Sequence, residues 1–128
     1  MRAYLPITHK DLEGLVLNKS LEVEELYAPT IHFVVENPDC DEEELEYLLS
    51  VAAGQEALEL RLSEKAPGIV VAFEIEREEI AEHYAQSITL VSSLQWDQVQ
   101  CVLLAFQGDD ELVWFASQEI ELHLAEWK

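Results

Sequence analysis

Carboxylates are the commonest reactive groups in this sequence, with 27 Asp or Glu among 128 residues. They serve three kinds of chemistry: metal coordination, general acid–base catalysis, and electrostatic attraction of a cation. The densest run, Asp39-Cys40-Asp41-Glu42-Glu43-Glu44, has the look of a calcium loop. Such a loop needs glycine at its sixth position and glutamate at its twelfth, where Glu44 and Ser50 stand, so an EF-hand is excluded. Two readings of residues 36–46 stay open: a weakly held divalent cation on Asp39, Asp41 and Glu42, or a helix start whose acids offset the helix dipole.

Zinc requires His and Cys at set spacings, and His9, His32, His83 and His123 stand alone, with neither HExxH nor Glu-x-x-His around them. Glu79 with His83, and Glu119 with His123, are four residues apart, a spacing that makes surface neighbours on a helix. No Gly-x-Ser-x-Gly elbow or Walker loop occurs, and the four glycines, Gly14, Gly54, Gly68 and Gly108, are dispersed. A phosphate cradle needs clustered glycine N–H groups backed by a lysine, and nothing here supplies both, so nucleotide-dependent enzymes of the common motif-bearing types are not expected, nor is a cofactor. The residues best placed for a ligand site are Trp114, Gln118 and Glu119, joined by Arg2 and Tyr47. They offer an aromatic face, a two-way amide and opposite charges. The competing reading places Trp114 in the core and pairs Glu119 with Arg2 across a sheet.

Seven Lys and Arg leave a formal net charge of −20. No base lies between Lys19 and Arg61, where twelve acids do, and none from Glu78 to Trp127, where ten acids do. Nucleic acid and anionic membrane surfaces are repelled by such stretches, whereas a basic protein is attracted. The hydrophobic fraction of 49% separates the chain from disordered acidic proteins, and its length suits one domain spanning residues 1–128. Cys40 and Cys101 make no disulfide framework, and no apolar stretch reaches 18 residues, so the expected location is cytoplasmic.

The elements that must position these groups follow from periodicity. Arg2 to Ile7 alternates as a strand, and Pro6 suggests an edge position or the strand's end. Thr8 suits the cap of a helix over His9 to Leu17, and Leu21 to Tyr27 reads as a further helical turn. Ile31, Phe33 and Val35 alternate as a second strand. Asp41 with Glu44 has capping-box spacing before a helix to about Leu62, whose stripe is Leu45, Leu48, Val51, Ala52, Leu58 and Leu62. Further strands are expected at Ile69 to Ile75, at Ile88 to Val91 and at Val99 to Phe106, the last in a central position. A short helical segment is expected from Glu78 to His83, a turn at Gly108-Asp109-Asp110, a strand at Leu112 to Ser117 and a final helix capped by Ser117. The sum is an α+β fold: a mixed, largely antiparallel sheet of about six strands covered by about three helices.

The opening Met1-Arg2-x-Tyr4-x-Pro6-x-Thr8 and the late Glu111-Leu112-Val113-Trp114-Phe115-Ala116-Ser117-Gln118-Glu119-Ile120 resemble an uncharacterised family of small acidic actinobacterial proteins. Its members open with M-R-x-Y-x-P and close near E-L-L-W-Y-A-T-Q-E-L. Glu43-Glu44-Leu45-Glu46-Tyr47 and Ile69-Val70-Val71-Ala72 are similar to the same pattern. Phe115 and Ser117 depart from it, and the stretch from Phe106 to Glu111 is shorter than the family's helical insertion. The resemblance implies a cytoplasmic domain of unknown function and brings no activity, cofactor or catalytic residue.

The leading expectation is a non-catalytic interaction module whose acidic surface meets a basic protein, with a homodimer through the C-terminal segment where Trp127 offers an apolar ring. The alternative is a small-molecule enzyme using a carboxylate pair near Trp114, or the weak divalent-cation binder at residues 36–46.

Overall fold

In the computed structural model, which describes residues 1–128, the chain begins with strand β1 (Arg2–Ile7) and helix α1 (His9–Asn18). Thr8 joins them as an N-cap, its Oγ1 accepting from the Asp11 N–H at 3.1 Å. Then come β2 (Ser20–Leu21), β3 (Leu26–Tyr27), α2 (Ile31–Glu36), α3 (Glu42–Leu60), β4 (Gly68–Glu74), β5 (Ile80–His83), β6 (Ser87–Leu90), β7 (Leu94–Gln95), β8 (Val99–Ala105), β9 (Val113–Ala116) and α4 (Ile120–His123). Seven strands form one sheet in the order β5-β6-β3-β1-β4-β8-β9, and β2 pairs with β7 apart from it. Every pairing is antiparallel. The fold is α+β, as the patterning implies.

Helices cover both faces of the sheet, which is why β4 is buried along nearly its whole length. Tyr4, Val70, Ala72 and Cys101 pack with Leu49, Ala53 and Ala57 of α3. The alternate residues, among them Leu5, Val71, Phe73 and Val102, pack with Leu12 and Leu15 of α1 and with Ile120 and Trp127. Trp127 is buried and meets Phe115 edge-on, with ring centroids 5.1 Å apart. Its ring therefore packs into the core of its own chain.

Several elements differ from the sequence expectation, each for a physical reason. Pro6 lies in the middle strand of the sheet, so of its two expected places the edge is wrong and the strand's end, one residue before Ile7, is right. It is tolerated because β3 has only two residues and registers with β1 at Tyr4, so Pro6 is matched by Val70 alone. Leu21 to Tyr27 forms no helical turn but ends in the short strand β3. Ile31 to Glu36 is helical, not extended: the Thr30 Oγ1 accepts from the Phe33 N–H at 3.2 Å and donates to the Ala85 carbonyl at 3.0 Å, a cap that outweighs the alternation. After a single 3₁₀ turn, Ile80 to His83 is a strand paired with β6 rather than a helix.

Helix α3 begins as its capping box requires, with Glu44 N–H donating to the Asp41 Oδ1 at 2.8 Å. Its sheet-facing side, however, is Leu45, Leu49, Ser50, Ala53, Gly54 and Ala57, and Leu48 and Leu62 are exposed. Small residues win that face because the helix approaches the sheet closely. Gly108, at φ +88°, makes the turn between β8 and β9.

Little of the net charge is neutralised internally. The N-terminal amine pairs with Glu74 at 3.0 Å, Lys19 pairs with Glu121 at 3.5 Å, and His123 contacts Glu126. The folded chain thus repels itself more than the expanded one. Its melting temperature rises by several degrees when NaCl is taken from about 10 mM to about 0.1 M, over which the screening length falls from about 30 to about 10 Å. A melt indifferent to salt, followed by circular dichroism, would contradict this.

Candidate functional site

The shortness of β3 leaves a break in the sheet, and the break is a cleft of about 670 Å³. Leu5 and Pro6 of β1 form part of its lining, with Glu24, Glu25, Leu26 and Tyr27 along one side. Glu56 reaches it from α3, and Tyr84 to Gln86, the turn between β5 and β6, closes it with Ser87 and Thr89 of β6. Three carboxylates therefore share one concave surface whose lining contains no Lys, Arg or His.

Hydrogen bonds fix two of those carboxylates. The Tyr27 hydroxyl donates to Glu56 Oε1 at 2.8 Å, and the Ser87 hydroxyl donates to Glu25. Burial, then the bond to Glu56, pushes the Tyr27 hydroxyl up to about 12, so it is a permanent donor at physiological pH. Tyr84 is also raised, chiefly by the charge of neighbouring Glu82. The Thr30 bond to Ala85 ties the β5–β6 turn to the start of α2. Thr89 Oγ1, on the same lining, is the one buried side-chain polar atom without a partner. The cleft thus offers fixed acceptors, two phenol faces and no internal cation.

The residues singled out from the sequence come together only in part. Arg2, Tyr47 and Trp114 line a hollow of about 270 Å³ with Tyr4, Glu43, Glu46 and Cys101. Trp114 is 60% and Tyr47 57% exposed, so Trp114 is not a core residue. Gln118 and Glu119 lie off that lining. Glu119 Oε1 accepts from the Ala116 N–H at 2.9 Å, and Gln118 Oε1 accepts from the Ser117 hydroxyl at 3.2 Å. Glu119 is a turn-capping group here, and it makes no ion pair with Arg2. In the hollow, burial raises the Glu46 carboxyl against the opposing pull of Arg2. Burial also raises the Cys101 thiol and keeps it protonated. At this size the hollow falls below the usual range of small-molecule sites.

Asp39, Asp41 and Glu42 do not assemble a metal site. Asp41 spends its carboxylate on the α3 cap, and no group of three or more His, Cys, Asp or Glu side chains is placed to hold a metal ion. That also bears on the cleft: Glu24, Glu25 and Glu56 are spread around its wall rather than converging on a point.

The cleft residues escaped the sequence reading because Tyr27 and Glu56 are 29 positions apart, and Glu25 and Ser87 are 62 apart. The one available signal was the acid cluster Glu22, Glu24 and Glu25 beside Tyr27, which the helical reading of that segment absorbed.

A model of a family of unknown function (DUF6912) matches residues 1–108. No curated protein and no solved structure matches the chain. Every residue of the acidic cleft falls inside the matched region, whereas Trp114, Gln118 and Glu119 fall outside it.

Proposed function

We propose, for a chain that belongs to this family of unknown function (DUF6912), a non-catalytic interaction module whose acidic cleft receives a cationic side chain of a basic protein. The observation that carries the reading is the lining itself: Glu24, Glu25 and Glu56 around one concavity without a base. A concave, partly desolvated wall focuses a negative field, so a guanidinium or ammonium group gains more there than on the open surface. Tyr27 and Tyr84 add ring faces suited to a guanidinium. The spread of the carboxylates favours an extended organic cation over a metal ion. The lining holds no His or Cys, the groups best suited to proton transfer or nucleophilic attack near neutral pH.

The encounter is proposed to take place in the cytoplasm. Both cysteines are unpaired, as suits a reducing compartment, and no helix is long and apolar enough to cross a membrane.

The test is titration with a short peptide carrying two arginines in a neutral sequence, followed by backbone amide NMR. Shifts are expected at Glu24 to Tyr27 and Tyr84 to Ser87. Changing Glu25→Gln and Glu56→Gln together should weaken binding about tenfold. Asp109→Asn with Asp110→Asn, which removes the same charge from the exposed β8–β9 turn, should leave it nearly unchanged. Equal weakening by both pairs would reduce the effect to the overall field and dismiss the cleft.

A further inference from the structure

A second cavity, of about 560 Å³, lies between the start of α1, the loop after α3 and the chain's last residues, and its character is the reverse of the acidic cleft. Ile7, Ile69 and Trp127 supply apolar lining. Around them stand Lys10, Arg61 and Lys128, three of the seven Lys and Arg in the chain. None of the three pairs with a carboxylate, although the chain carries 27 acids.

Arg61 is held in place by neutral acceptors alone. Its Nε donates to the Leu58 carbonyl at 3.0 Å, and one terminal nitrogen donates to the Glu64 and Ala66 carbonyls at 3.0 and 3.2 Å. The other donates to Gln107 Oε1 at 2.6 Å. The guanidinium is therefore immobilised with its charge uncompensated. Glu13 is the only acidic side chain on the lining, and His9 is turned to the Leu124 carbonyl, 2.8 Å from its Nε2.

We infer that this cavity binds a small organic carboxylate with an apolar body. An apolar surface bordered by unpaired cations matches such a molecule at both ends: burial drives the body in, and Lys10 and Arg61 select the head. These two bases, gathered at one place in a chain of net charge −20, give that selection a sign opposite to the field of the whole molecule.

Octanoate and octylammonium share an apolar chain and differ in the charge of the head, so they separate site from field. With the full-length protein, octanoate is expected to shift the Trp127 indole N–H resonance saturably, while octylammonium at the same concentration does not. Lys10→Glu should weaken octanoate about fivefold, whereas Arg77→Glu, the same charge change away from the lining, should not. The proposal is overturned if octanoate gives no saturable shift, if octylammonium binds as well, or if both variants weaken binding equally.

Discussion

Gly68→Ala lowers the melting temperature by about 10 °C, at a cost of about 3 kcal/mol. A Cβ at this position would lie 2.8 Å from both the Ala57 carbonyl carbon and the Leu58 nitrogen, and 3.1 Å from the Ala57 Cβ. The first two are backbone atoms of α3 and have no rotamer through which to escape. The helix must therefore rise from the sheet, and Leu49, Ala53 and Ala57 rise with it from Val70, Ala72 and Cys101. Gly14→Ala is the matching control. There the nearest atom is the end of the Asn18 side chain at 4.0 Å, so the better helix former should stabilise α1 by up to about 1 kcal/mol. Thermal melts of the two variants should move in opposite directions. A Gly68→Ala melt indistinguishable from that of the parent would mean that the close approach of α3 contributes little.

That close approach also marks the limit of what the sequence makes legible. Asp41, Glu42, Glu43 and Glu44 announce the start of α3 because capping is a local bargain between neighbours. The alternation in Arg2 to Ile7, the apolar run of β8 and the Gly108 turn are equally local, and each is found where expected. The buried face of α3 is not local. Leucines recur at helical spacing on more than one side, and only the position of Gly68 on β4 decides that the small residues face inward. Thr30 poses a different difficulty: its cap on the Phe33 N–H is local, but the alternation of Ile31, Phe33 and Val35 masks it, and the bond that orients its hydroxyl goes to the distant Ala85 carbonyl. The acidic cleft compounds three such long-range facts: a two-residue β3, a carboxylate from α3 and a turn from β5–β6. Composition announced the abundance of carboxylates, and topology chose which three of them share a wall.

Between pH 10 and 12 the fold loses up to about 3 kcal/mol through Tyr4 alone, and Tyr4→Phe abolishes that loss. Burial, then the charge of Glu46, pushes the Tyr4 hydroxyl from 10.0 to about 12, with Arg2 pulling the other way. As pH rises through 10 the unfolded chain releases this proton while the folded chain keeps it. The folded state then binds more protons, so stability falls with pH until both states have ionised near 12. Tyr27, also raised to about 12, has the same sign but lies half-buried, where solvent screening reduces its share. Other groups that titrate in this range do so in both proteins, so the informative quantity is the difference between parent and variant in urea unfolding at pH 7, 10 and 12. The two should be close at pH 7 and separate towards pH 12, with the variant the more stable. Parallel decline would show that the Tyr4 hydroxyl is as free to ionise folded as unfolded. Glu46 has the same sign one range lower. Burial raises its carboxyl, so its contribution is complete in acid and is lost as pH climbs past the ordinary carboxylate range. A single arginine, Arg2, faces Tyr4, Glu46 and Cys101 together, and all three remain raised despite it. Around Trp114, desolvation therefore outweighs the one available cation, and the hollow resists ionisation at both ends of the pH scale.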